Sequence, residues 1–303
     1  MKVIMYHYVR PHTDFANNKS VLPLDVFCWQ LDFFSKTGSI IHPAELFKPG
    51  FQPEPNQYLL TFDDGLIDHY TYVFPELQQR GLSGLFFLNG KNFAEQRLLN
   101  VHRLHYLLAN CTAKALESAC LNLLEKYPLV PAYKQRFEAS VYEGLQQEEV
   151  ISDIKARLNF FVSPQDQDSI LEQLLHQFGI DENAIMQNFY INQTQAAAMQ
   201  QAGMYFGAHG YSHYVMSNLA APAQRSDIDQ SIHFLQQWLP ENQPLSFCYP
   251  YGYHNSYDEF CTSYLQQKTA CAFAVENRSL NEADWNNNRW ALPRIDCNRF
   301  LPD

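Results

Sequence analysis

The stretch from Tyr58 to Leu88 limits the fold more than any other. Tyr58-Leu59-Leu60-Thr61-Phe62 is apolar and dense in β-formers, and it stops at Asp63-Asp64-Gly65. Tyr70 to Arg80 reads as a helix, Gly81 ends it, and Ser83 to Leu88 is a second apolar run of strand length. Strand, helix and strand joined by short links form a βαβ unit, which implies a parallel sheet. A buried strand in such a sheet delivers the residues after it to the rim, where chemistry gathers. Side chains alternate faces along a strand, so Asp63 and Asp64 share one environment only if the strand is ending. One carboxylate then faces a metal and the other a substrate; the plainer reading is an Asp-Gly turn.

The rest of the chain extends the pattern. Residues 1–10 form a first strand carrying His7 near its end, and Phe27 to Lys36 has the spacing of an amphipathic helix closed by Thr37-Gly38. Pro43, Pro53 and Pro55 mark an irregular approach to the strand at 58–62. From Asn92 to Tyr190 the only glycines are Gly144 and Gly179 and no β-run stands out. Helices are expected there over 93–110, 112–127, 132–145, 147–161, 164–178 and 181–189, separated by Pro128, Pro131, Pro164 and Gly179. Alternation then resumes, with helices at 195–201, 223–239 and 256–267 and strands at 204–209, 245–249, 270–275 and 290–295. The expected architecture is α/β: about seven parallel strands in a distorted (β/α)7-type barrel, residues 1–91 and 191–303, with an all-helical insertion at 92–190.

Composition narrows the function. The chain has 303 residues, 46% of them hydrophobic, enough for one large domain or two smaller ones. A net charge of −11 without a basic stripe argues against nucleic acid as a partner. No apolar run approaches the roughly 20 residues of a membrane span, and the N-terminus is too short and interrupted for a signal peptide. Seven scattered cysteines with no C-x-x-C pair suit free thiols in a reducing compartment, so a cytoplasmic location is expected.

His209-Gly210-Tyr211-Ser212-His213 places two imidazoles four residues apart just after a strand. On a helical turn both rings reach one ion. Asp64, from a neighbouring strand, completes a two-histidine, one-carboxylate site with open positions.

Thr61-Phe62-Asp63-Asp64-Gly65, Gly207-Ala208-His209-Gly210-Tyr211-Ser212-His213 and Tyr249-Pro250-Tyr251-Gly252 occur in the order found in the polysaccharide deacetylase (NodB-homology, carbohydrate esterase family 4-like) family, which the chain resembles. Met5-Tyr6-His7-Tyr8-Val9 also looks like the start of many members. The resemblance covers residues 1–91 and about 194–296, and the helical block lies outside it. It implies a distorted barrel and a metal-dependent hydrolase of N-acyl or O-acyl groups on sugars. Asp63 would be the general base; Asp64, His209 and His213 would bind the metal; the Tyr251 backbone N–H would help hold the oxyanion. Pro250, Tyr251 and Gly252 would line the substrate, and the divalent ion is expected to be zinc, with iron, cobalt and nickel as alternatives.

Two departures stand out. Where many members carry a late Leu-x-His, this chain has Leu292-Pro293-Arg294, and an arginine often found shortly before Pro-Tyr-Gly is replaced by Cys248 or Tyr249. His7 is therefore assigned as the general acid and Arg294 as the residue that orients Asp63. The alternatives are a packed strand histidine at 7 and an ion pair of Arg294 with Asp296. His102 and His105 share a helix face at i, i+3 and are candidates to point into the cleft, with His105 counted as substrate-binding. His69 is expected at the surface, with a place behind the metal ligands as the alternative; His254 could line the mouth; Trp285 and Trp290 are expected in aromatic packing, with stacking on a sugar face as the alternative.

With 146 positions between Asp63 and His209, the helical block is expected to cover the rim as a lid or partner surface. That favours a small or nucleotide-linked sugar, N-deacylated (acetyl or formyl) in surface-polysaccharide (lipopolysaccharide) biosynthesis, over a long polymer. The competing readings are hydrolysis of a non-sugar amide C–N bond and a catalytically silent carbohydrate-binding barrel.

Overall fold

In the computed structural model, residues 1–11, 21–137, 149–238 and 243–302 are described. The strands are β1 (Lys2–Tyr6), β2 (Tyr8–Arg10), β3 (Val21–Pro23), β4 (Ser39–Ile40), β5 (Gln57–Phe62), β6 (Leu85–Leu88), β7 (Tyr205–Ala208), β8 (Ser246–Cys248), β9 (Cys271–Phe273) and β10 (Ile295–Asp296). Seven run in the order β10-β1-β5-β6-β7-β8-β9, with β4 beside β5, and every pairing is parallel. The ring closes through the segment 289–296. Leu292 bridges to Phe273 of β9, its amide donating to Ala272 O and Arg294 N to Ala274 O, and Ile295 then pairs with Ile4 of β1. The expected strand over 290–295 is thus one bent segment that serves both edges.

Parity sorts the barrel. Val3, Leu59, Leu85, Phe87, Cys248 and Phe273 form one buried cluster, while Ile4, Tyr6, Leu60, Phe62, Phe86, Leu88, Phe206 and Phe247 form another against the surrounding helices. Alternation carries the first face onward to His7, Asp63, His209 and Arg294, so the chain itself brings these groups together at the C-terminal mouth. Gly207 is needed there for space: a Cβ would meet the Phe87 ring at 2.5 Å and Ser246 Oγ at 2.6 Å.

The single strand expected over residues 1–10 is broken. β1 ends at Tyr6, and β2 leaves to pair with β3 in a separate two-stranded sheet. Asp68 holds β2 in that position, accepting from Val9 N at 3.1 Å and from Arg10 Nε and Nη2 at 2.8 and 2.6 Å.

The helices around the barrel are α1 (Leu24–Thr37) and α2 (Phe74–Gln79), the latter preceded by a π turn at His69–Val73. Between β6 and β7 come α3 (Lys91–Glu95), α4 (Asn100–Asn110), α5 (Ala113–Lys126), α6 (Pro131–Arg136), α7 (Glu149–Ala156), α8 (Pro164–Gln177), α9 (Glu182–Met186) and α10 (Gln193–Gln201). The helix expected over 93–110 is two helices, since Gln96 takes a left-handed conformation that ends α3. The one expected over 132–145 stops at Arg136, and residues 138–145 lie outside the described residues. The one expected over 147–161 turns π from Arg157 to Phe161. Leu104, Leu107, Leu116, Ile154, Leu158, Ile170, Leu171 and Leu174 bury one another in a core of their own. α11 (Ala221–Gln236), α12 (Glu259–Leu265) and α13 (Glu282–Asn287) complete the chain. Within the described residues no helix is long and apolar enough to cross a membrane.

Candidate metal centre and active site

β5 ends at Phe62, and Asp63 N donates to Tyr6 O at 2.9 Å before the backbone turns. Asp64 takes φ 73° and Gly65 φ 62°, so the chain reverses within two residues and the two carboxylates separate. Gly65 is required by this turn twice over, because a Cβ would also strike Leu88 at 2.7 Å. The turn is pinned from outside the barrel: Ile191 N donates to Gly65 O at 2.9 Å and Ile67 N to Phe189 O at 2.9 Å.

Asp63 lies within the mouth, about 1% exposed. Arg294 grips it bidentately, Nη1 to Oδ1 at 2.8 Å and Nη2 to Oδ2 at 2.7 Å, with Nη1 also on Thr61 Oγ1 at 3.2 Å. Arg294 therefore pairs with Asp63 and not with Asp296, whose carboxylate caps Asn298. Burial raises the Asp63 carboxyl pKa, but the guanidinium, then His209 and His7, outweigh it and bring it to about 2. Cys248 Sγ sits 3.7 Å from Asp63 Oδ2, where a thiol is the weak donor to a carboxylate already held by arginine. His7 Nε2 stands 3.8 Å from the same oxygen, and its ring is 36% exposed, which makes it the open side of an otherwise covered group.

Asp64 faces two imidazoles. Its Oδ1 is 3.5 Å from His209 Nε2 and 3.3 Å from His213 Nε2, and all three side chains are buried. The H-x-x-x-H segment is not the helical turn expected from its spacing. His209 follows β7, Gly210 (φ 68°) and His213 (φ 55°) are left-handed, and Asp227 on α11 accepts from Tyr211 N at 2.7 Å and Ser212 N at 3.0 Å. A loop with these kinks returns His213 to His209, their ring centroids 5.0 Å apart. Asn89, just past β6, donates to the carbonyls of His209 and Gly210 at 2.5 and 3.1 Å. Lys91 and Tyr214 both reach Asp168 of α8, at 3.0 and 2.5 Å, which ties the same loop to the helical block.

The arrangement fits a divalent cation. Asp64 Oδ1 is a buried carboxylate oxygen without a hydrogen-bond partner, and one atom each from Asp64, His209 and His213 lie within 4.8 Å of one another. Burial drives the His213 pKa down to about 3, leaving a neutral imidazole with a free lone pair. His209 Nδ1–H donates to Cys248 O at 2.8 Å, which leaves Nε2 as the acceptor facing Asp64. Burial raises the Asp64 carboxyl as well, but His213 and His102 reverse the shift to well below the usual range.

Tyr251 adopts φ 62°, its ring 5.1 Å from that of His213, and among the described residues its N–H meets no acceptor. Pro250 is buried and touches the same turn, its Cγ 3.0 Å from where a Cβ on Gly210 would stand. Gly252 (φ 73°) follows, its N–H on Pro250 O at 2.7 Å. His105 lies half-buried with Nδ1 3.2 Å from Tyr8 Oη, one helical turn from the centre.

His69 is not at the surface. It is fully buried under His7, donating from Nε2 to the His7 carbonyl at 3.0 Å, and burial lowers its pKa to about 4. His102 comes closer than His105: its Nε2 is 3.1 Å from Asp64 Oδ2 and its Nδ1 2.6 Å from Tyr190 Oη. The i, i+3 spacing with His105 carried that signal; the partner, 38 positions away, did not show. His254 is exposed, and Trp285 and Trp290 pack into the two core clusters.

A polysaccharide deacetylase family model matches residues 149–267, a span that takes in His209, His213 and the Pro250-Tyr251-Gly252 loop. The likeness is to polysaccharide deacetylases. It begins within the helical block, well before the point where the sequence motifs resume. Solved structures share the fold. A Streptococcus pyogenes deacetylase, PplD, in complex with acetate aligns at TM-score 0.60 and 15% identity over 100% of this chain and 93% of its own. IcaB from Ammonifex degensii aligns at 0.53 and 17%, over 97% and 90%. A de-N-acetylase from Aggregatibacter actinomycetemcomitans aligns at 0.54 and 11%, over 98% and 95%. No curated protein matches the sequence.

Proposed function

We propose that the chain is a metal-dependent hydrolase that removes an N-acyl group, acetyl or formyl, from a sugar. The observation that carries this is the partnerless buried oxygen of Asp64 set between two imidazole nitrogens, with an arginine-held carboxylate beside it. A divalent ion held by Asp64, His209 and His213, zinc in the first instance, would supply Lewis acidity and lower the pKa of water. Asp63, kept ionised by Arg294, takes the proton of the attacking water. The free N–H of Tyr251 stabilises the oxyanion, a contribution of about 3–4 kcal/mol for one such donor. His7, at the open edge, returns a proton to the leaving amine and so stands where the sequence lacks the late histidine.

Residues 1–91 and 191–303 are taken as the catalytic barrel and 92–190 as a block closing over its mouth. The near-complete burial of Asp64, His209 and His213 supports a small or nucleotide-linked sugar, and a role in surface-polysaccharide biosynthesis, over a free polymer. Seven unpaired thiols support a cytoplasmic location. Amine release from free and nucleotide-linked N-acylated hexosamines, set against polymeric chitin, tests the assignment. Turnover of the polymer with none of the small sugars would overturn the substrate class. The silent-barrel reading is excluded if Asp63→Asn keeps the ion and loses turnover by at least about a hundredfold, the lower range for a general base.

A further inference from the structure

The helical block reaches Asp64 through His102. His102 of α4 is 1% exposed and stands between two polar partners from different parts of the chain. The amide of Leu99 can only donate, and it donates to Tyr190 Oη at 3.0 Å. That leaves the phenolic hydrogen for His102 Nδ1, 2.6 Å away. A neutral imidazole that accepts at Nδ1 carries its hydrogen on Nε2, which points at Asp64 Oδ2, 3.1 Å away. Every donor in the chain from Leu99 through Tyr190 and His102 to Asp64 then meets an acceptor.

The consequence lies on Asp64. Its Oδ2 is occupied from the helical block, while Oδ1, the oxygen without a partner, faces His209 and His213. His102 itself is outside the group of ligand atoms that lie within 4.8 Å of one another. We propose that His102 is a positioning residue of the metal centre, holding the Asp64 carboxylate so that one oxygen alone addresses the ion, with Tyr190 setting the tautomer that does it. This rests on the metal reading above. It makes the helical block part of the metal centre, since α4 supplies His102 and the exit segment supplies Tyr190. A partner that orients a ligating side chain commonly changes affinity by 10–100-fold.

The test is Zn²⁺ affinity of the whole chain, measured without substrate by competition with a chromophoric chelator. The proteins are wild type, His102→Leu, His102→Gln and Tyr190→Phe, with far-UV circular dichroism and thermal unfolding as controls of fold. Gln keeps an N–H donor near the position of Nε2; Leu has the bulk and no donor. The expected result is a loss of about 10–100-fold for His102→Leu, near wild-type affinity for His102→Gln, and a smaller loss for Tyr190→Phe. Equal affinity of wild type and His102→Leu would overturn the inference. So would a His102→Gln protein as weak as the leucine variant whose Co²⁺ absorption spectrum shows a lost nitrogen ligand, because His102 would then bind the ion directly. If His102→Leu does not fold, a retained His102→Gln with a weakened Tyr190→Phe supports the assignment, and an unchanged Tyr190→Phe refutes the tautomer chain. A wild-type chain that takes up no ion removes the metal reading itself, an outcome distinct from the others.

Discussion

Five described non-glycine residues are left-handed, and three of them are Asp64, His213 and Tyr251. Each such conformation costs on the order of 1–3 kcal/mol and persists only where the surroundings enforce it. Here they separate two adjacent acids, fold one histidine back on another and leave one amide without an acceptor. Arg294 sets the acid at the centre. Replacing it by methionine removes the cation that brings the Asp63 pKa to about 2, while burial, which raises it, remains. The acid limb of the kcat/KM profile should therefore move to higher pH, and stability should fall by about 3–5 kcal/mol from the unpaired buried charge. A pH–rate profile and a urea titration read the two effects separately. His69 governs stability in another way. Its folded pKa near 4 lies below the ordinary value of 6.5, so folded and unfolded chains bind protons alike above about pH 6.5, and the unfolded chain gains more as pH falls. Its contribution is complete above pH 6.5 and is lost as pH drops towards 4, by roughly 3 kcal/mol at most. His69→Gln, which keeps a donor for the His7 carbonyl, should flatten the fall in urea midpoint between pH 7 and 5 in chelator-treated protein.

At the scale of elements, the loop 209–213 shows where local pattern stops informing. Spacing of four between histidines suits a helix, yet Gly210 and the two amides bound by Asp227 make a kinked loop that brings the rings together by another route. Asp227 lies 14 positions beyond His213, on a helix whose own pattern reads only as amphipathic. Asp227→Ala should cost about 1–3 kcal/mol through two orphaned, part-buried amides and weaken Zn²⁺ binding as His213 loosens, while leaving Asp63 and Arg294 paired. Chelator competition alongside denaturant unfolding checks both. The break at His7 has the same origin. The residues of β1 and β2 read as one strand, and it is Asp68, from the segment after β5, that turns β2 away.

At the scale of the molecule, an ion bound only by the folded chain stabilises it by mass action, about 2.7 kcal/mol at 100 times Kd. Zn²⁺ should raise the melting temperature of wild type and leave Asp64→Asn unmoved, as differential scanning calorimetry would show. The βαβ unit, the parallel sheet, the helical block and the order of Asp63-Asp64, His209-His213 and Pro250-Tyr251-Gly252 were all legible in the sequence. They depend on apolar periodicity, on glycine and proline, and on motifs a few residues long, which are local properties. Of the partners, the sequence offered Asp63 for Arg294 with Asp296 as the alternative, grouped Asp64 with His209 and His213, and offered none for His69 or His102. That Arg294 grips Asp63 rather than its neighbour Asp296, that His69 lies beneath His7, and that His102 takes one oxygen of Asp64 were decided by the closing of the barrel and the docking of the helices. Hydrogen bonds and ion pairs between side chains act over about 3 Å and carry no sequence spacing of their own. Two residues separated by 231 positions become neighbours only when the sheet curls round to place them there.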